Sequence, residues 1–182
     1  MFMATRLNVR RAVVVVAVAG AAAAGSAVLA GTASAMPTDF NCTSAQVDTS
    51  LSWGDPGAGQ RYGYVQFTAH AGVRCSIGGA LPLTLAGAPD VTVEEDQTPS
   101  ESVSIFNGES ATMLLHWTGI EAPADQETPT SVTVTAPASE DLAGNVSDPE
   151  ITLPWTLGPL DAAPEAHTLR VGAITFGAAP AF

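Results

Sequence analysis

The chain contains no lysine, and its six arginines are unevenly placed. Arg6, Arg10 and Arg11 sit at the extreme N-terminus, which leaves only Arg61, Arg74 and Arg170 in the remainder. All 18 acidic residues lie after residue 35, so the segment from Met36 to Phe182 has a net charge of −15. That balance excludes a nucleic-acid binder, because phosphate recognition depends on clustered Lys and Arg. It also disfavours anionic envelope polymers, since like-charge fields oppose approach. Acidity of this kind keeps an exported protein soluble; a cationic partner or divalent ions are the functional alternative.

Cysteine is equally scarce, with only Cys42 and Cys75 present, 33 positions apart. There is no C-x-x-C spacing and no nearby histidine cluster, so a metal or redox pair is not indicated. In an exported chain two such cysteines read as one disulfide. Closing a loop of this length removes unfolded-state entropy worth about 3–4 kcal/mol in the chain-entropy model. Intermolecular pairing is the alternative and requires both thiols to be exposed. Motifs for chemistry are missing too: no nucleophile elbow, H-E-x-x-H, phosphate-binding glycine loop or zinc spacing occurs. No cofactor is implied. His70, His116 and His167 are widely separated in sequence and read as surface residues or single hydrogen bonders, with convergence in space as the functional alternative.

What is present begins with export. A basic head at Arg6, Arg10 and Arg11 is followed by the uncharged run from Ala12 to Leu29 and by Ala33-Ser34-Ala35. This is the tripartite pattern of a secretory signal peptide with cleavage after Ala35. The run is long enough for a retained anchor, yet it is mostly Ala and Gly and a cleavage site follows it. Arg10-Arg11 lacks the rest of a twin-arginine motif, and Cys42 lies too far past the cut for lipidation. Leu153-Pro154-Trp155-Thr156 resembles the start of a sortase signal, but no hydrophobic tail with basic residues follows. The expectation is residues 1–35 as signal peptide and 36–182 as one secreted domain, extracellular or loosely envelope-associated, with no stable membrane anchor after cleavage.

That mature segment alternates with period two. Val47, Thr49, Leu51 and Trp53 share one face of a first strand; Val65, Phe67 and Ala69 share one face of a second, with Tyr62, Tyr64, Gln66 and Thr68 opposite. Leu81, Leu83 and Leu85 line a third strand, Val91 and Val93 a fourth, and Val103 and Ile105 a fifth. Ala111, Met113, Leu115 and Trp117 form the apolar face of a sixth, with His116 facing outward beside Thr112 and Leu114. Val132, Val134 and Ala136 follow, then Ile151, Leu153 and Trp155 around an outward Pro154 that marks an edge strand. In the last strand Leu169 and Val171 set one phase, Ile174 and Phe176 the other, and the switch at Gly172-Ala173 is where a bulge belongs. Seven to nine short strands without helical periodicity predict an all-β antiparallel sandwich, preceded only by the cleaved signal helix.

The run Cys75-Ser76-Ile77-Gly78-Gly79-Ala80-Leu81-Pro82-Leu83-Thr84-Leu85 follows a strand ending Phe67-Thr68. Together with Cys42, the turn Asn107-Gly108-Glu109-Ser110-Ala111 and Trp117, it resembles a secreted actinobacterial family, the domain of unknown function 4232. The resemblance implies an immunoglobulin-like sandwich. Ala69-His70 replaces the family's Asn-Thr, and Asn107 replaces its Pro. Asp141-Leu142-Ala143-Gly144-Asn145-Val146-Ser147 is similar to a hairpin turn of bacterial immunoglobulin-like modules, where Gly and Asn allow positive φ.

Tyr62 and Tyr64 are the only tyrosines and stand side by side on one strand face, which makes them the candidate binding surface. Flat aromatics at this spacing stack on sugar rings or pack against protein, unless another segment covers them. Asp90 with Glu94-Glu95-Asp96, and Glu140-Asp141 with Asn145, Asp148 and Glu150, are acidic loops without EF-hand spacing. Asn41-Cys42-Thr43 and Asn145-Val146-Ser147 fit the glycosylation sequon formally. Two function classes emerge. The first is a secreted non-catalytic domain that binds a protein or polymer at or outside the envelope. The second is a sandwich-fold hydrolase using loop carboxylates. Mass spectrometry of the exported protein is expected to show a chain starting at Met36 whose thiols react only after reduction. A retained leader or two freely reactive thiols would reject that reading.

Overall fold

In this computed structural model the described residues are 41–95, 101–135, 139–140, 146–147 and 150–181. The leader, the 141–145 turn and Ala136 lie outside them, as do the acidic positions Asp96, Asp141 and Asp148. Fourteen strands occur among the described residues, with one short 3-10 turn at Pro123–Asp125. In chain order they are β1 Val47–Trp53, β2 Gln60–Ala69, β3 Arg74–Ile77, β4 Leu83–Ala86, β5 Thr92–Glu95, β6 Val103–Phe106 and β7 Ser110–Thr118. There follow β8 Gln126–Glu127, β9 Ser131–Thr135, β10 Ser139–Glu140, β11 Val146–Ser147, β12 Glu150–Pro154, β13 Leu160–Asp161 and β14 Thr168–Phe176.

They form a five-stranded sheet of order β1-β2-β7-β14-β5 and a three-stranded sheet of order β12-β9-β4, with three smaller pairs. The two main sheets share one core, in which Val65, Phe67, Met113, Leu115, Leu169 and Val171 from the first meet Leu83, Val132 and Val134 from the second. Each such large aliphatic or aromatic side chain removed from water contributes about 1.5–3 kcal/mol. The architecture is all-β, with packed sheets. Strands are more numerous than the alternation predicts because β3 and the two-residue pairs carry no alternating signal of their own. The sheets are also not wholly antiparallel, since β5 runs parallel to β14 along one edge.

Cys42 and Cys75 are bonded, with Cα atoms 4.9 Å apart. Arg74–Ile77, which the alternation pattern did not mark as a strand, is one that pairs with β6. The disulfide therefore ties the segment before β1 to that pair. Pro154 is exposed and ends β12 at the edge of its sheet, as its missing N–H requires. The register of β14 against β7 shifts between Val171 and Ile174, which is the expected bulge. It restores phase, so Leu169, Val171 and Ile174 all reach the core. Phe176, read as part of an apolar face, lies past the end of the core and is exposed. Trp53 has the inward phase of β1 but stands at the sheet end, 45% exposed, 6.2 Å from Trp117. Trp155 completes this cluster at 5.7 Å from Trp117.

Asp161 is only 1% exposed. Its carboxylate accepts the backbone N–H groups of Ile120 and Glu121 and the amide of Gln126, each at about 3.0 Å. Burial alone would raise its pKa, but these bonds and the Thr118 hydroxyl outweigh that and hold it below the ordinary 3.8. A depressed folded pKa contributes stability that is complete above the unfolded value and is lost as pH falls through the folded one. Denaturant midpoints are expected to drop as pH is lowered below about 3.8. In Asp161→Asn that acid-side slope should flatten, and stability at pH 7 should fall by about 1–3 kcal/mol. An unchanged acid profile in the variant would contradict the assignment.

Candidate binding face

The outward side of the five-stranded sheet is built from the residues that alternate with the core set. One half of it is crossed by the chain end. The Ala179 N–H donates to Gln66 Oε1 at 2.7 Å and the Gly177 N–H to the Ser110 carbonyl at 2.9 Å. Thr112, on this half, is buried and its hydroxyl lies 3.4 Å from that of Thr175. The other half is open and holds Tyr62, Tyr64, Leu114, His116 and Arg170.

Strand register gathers three of these side chains, with Glu94, into one row. Tyr62 of β2 lies opposite His116 of β7, His116 opposite Arg170 of β14, and Arg170 opposite Glu94 of β5. The Tyr62 and His116 rings are stacked, with centroids 4.7 Å apart and planes within 12°. His116 Nε2 also hydrogen-bonds Gln60 Oε1. Arg170 Nε lies 4.0 Å from Glu94 Oε2, a solvent-exposed pair of small energetic value. Partial burial, and then the nearby Arg170 guanidinium, hold the His116 pKa below the ordinary 6.5, so the imidazole is neutral at pH 7.

The row borders a hollow of about 390 Å³ lined by Glu94, Glu95, Leu114, His116, Arg170 and Gly172. Gly172, at the bulge, lines this hollow without a side chain, and a Cβ added there would lie 3.4 Å from Leu114 Cβ. A second hollow of about 300 Å³ continues it past Gln60, Thr118 and Glu165, sharing His116 and Arg170. Both are shallow, with walls of mixed polar and apolar character in which Leu114 is the exposed aliphatic side chain. Such a surface suits a chain-like ligand lying across the sheet better than an enclosed small molecule.

The predicted binding residues thus fall on the open half, but their availability differs from the expectation. One face of the Tyr62 ring is taken by His116. Gly54 packs so closely that a Cβ there would lie 2.7 Å from Tyr62 Cβ and 3.1 Å from Tyr64 Cε2. Both tyrosines are half-buried, so they offer ring edges and hydroxyls more than free faces. The histidines do not converge. His70 lies 3.1 Å from Asp48 and the His167 Nδ1 is 3.2 Å from the Ala163 carbonyl. Among the described residues no group of three or more His, Cys, Asp or Glu is placed to hold a metal ion. Asp90 is an N–H donor to Glu127, and Glu94 faces Arg170, so this acidic loop is engaged with its neighbours. Glu140 with Asp141, Asn145, Asp148 and Glu150 falls mainly outside the described residues. Arg170 was not singled out from sequence, and Glu94 was weighed only within an acidic loop; their outward phase was legible, but their register against His116 was not.

A family model for the domain of unknown function DUF4232 matches residues 42–175, most of the chain. The chain belongs to this family. No curated protein and no solved structure matches it. The matched span of the DUF4232 domain runs from the first cysteine into β14, and so includes the disulfide and all four residues of the row. No helix among the described residues is long and apolar enough to cross a membrane.

The His116 imidazole is expected to titrate with a midpoint below 6.5 when followed by NMR. Arg170→Gln should move that midpoint upward. A midpoint that ignores the arginine would contradict the proximity described.

Proposed function

We propose that this DUF4232 domain is an exported, non-catalytic binding module that engages a protein or polymer at or outside the cell envelope. The contact surface is the open half of the five-stranded sheet around Tyr62 and Tyr64. One observation carries this reading. The chain end covers the Gln66–Thr112 half of the face, while the neighbouring half keeps partly exposed aromatic and charged side chains beside two connected hollows. Soluble domains keep such side chains in a recess mainly where a partner docks. The signal-like leader and the disulfide support export, and the sheet packing suits the immunoglobulin-like sandwich that the family resemblance implies. A hydrolase acting through loop carboxylates has less support. The histidines stand apart, and the buried carboxylate, Asp161, is committed to the backbone of 120–121 and to Gln126.

The test compares the mature domain with Tyr62→Ser/Tyr64→Ser, each immobilised and exposed to cell-wall and secreted fractions. Loss of two aromatic contacts should lower retention of the partner by about tenfold or more. The thermal midpoint should shift by only a few degrees, because both side chains point away from the core. Equal retention by the two proteins would reject this face.

A further inference from the structure

We infer that the hollow beside the Tyr62–His116–Arg170–Glu94 row docks a lysine- or arginine-bearing segment of a partner protein. This rests on the binding face proposed above and specifies the chemistry of its occupant.

The Glu94 carboxylate stands on one side and Glu165 lines the other, against the single guanidinium of Arg170. His116 adds no charge at neutral pH. Beyond the hollow, the mature segment has 18 acidic residues, three arginines and no lysine, so approach from any direction crosses a negative field. A cationic side chain is drawn in by that field and meets carboxylates at either end of the recess. Its aliphatic stem finds Leu114, 37% exposed, and the space above Gly172. Long basic side chains place stem and head in this way on mixed surfaces.

Other occupants fit less well. An acidic segment could meet only Arg170, already 4.0 Å from Glu94, and would face the net negative field. An uncharged apolar segment would strip water from Glu94, Glu165 and Arg170 without replacing it, at a cost of several kcal/mol. Charge complementarity therefore selects the cation.

The experiment titrates the isotope-labelled mature domain with three short peptides, one lysine-rich, one glutamate-rich and one uncharged, at low and moderate salt. The lysine-rich peptide is expected to shift the amides of Leu114, His116, Arg170 and Gly172. Its affinity should fall about tenfold as salt rises from about 50 to about 300 mM. Glu94→Gln/Glu165→Gln should weaken it about fivefold, whereas Asp55→Asn/Glu121→Gln, with the same change in net charge, should alter it less than about twofold. Equal losses in the two double variants would overturn the inference, because net charge alone would then account for binding. Tighter binding of the uncharged or acidic peptide at the same amides would overturn it too, and leave the binding face standing. If no peptide perturbs these residues the inference also fails, and the tyrosine double variant then decides separately whether the face itself survives.

Discussion

Side chains of a strand must alternate between its two faces, and here both main sheets are obliged to turn their apolar sets toward each other. The core that results, from Val65 and Phe67 across to Val132 and Val134, leaves no freedom in the remaining residues. Tyr62, His116, Arg170 and Glu94 point outward because their neighbours Gly63, Leu115, Val171 and Val93 face in or lie against the core. Shifting β7 by one residue against its neighbours would exchange buried and exposed sets and bury His116. The outward row is thus held in place by packing on the opposite side of the sheet.

Two irregularities turn this face into something other than a flat wall. The bulge at Gly172-Ala173 lets β14 keep three aliphatic residues in the core, and its Gly172 lines the recess beside Leu114. The chain end, bonded to Gln66 and Ser110, then closes the other half of the sheet. Charge adds the third element. Partial burial and then the nearby Arg170 guanidinium disfavour protonation of His116, so the row remains an uncharged stack joined to an ion pair at neutral pH.

Much of this fold was legible in the letters. Alternation marked the principal strands, Pro154 marked an edge, the phase change marked the bulge, and two cysteines in an otherwise cysteine-free chain marked the disulfide. Arg74–Ile77 escaped notice because four residues carrying Cys and Ser show no alternation. The parallel β5–β14 edge escaped for a different reason, since local pattern does not encode the direction of a distant neighbour. The candidate site was half readable. Tyr62, Tyr64 and the outward His116 were visible, whereas their alignment with Arg170 and Glu94 depends on pairings between residues 54 to 76 positions apart. Asp161 carried no signal, because its partners are backbone groups that any sequence supplies.

The prolines at the margins of the three-stranded sheet have a consequence for crowded surroundings. A bare strand edge is a template on which another copy of the chain can extend the ladder, and proteins guard against it with residues that cannot join. Pro154 closes β12 on one margin, and Pro82 stands immediately before β4 on the other. Each interrupts the run of donors that an incoming strand would need. Growth of this sheet from molecule to molecule is therefore hindered at one end of each outer strand.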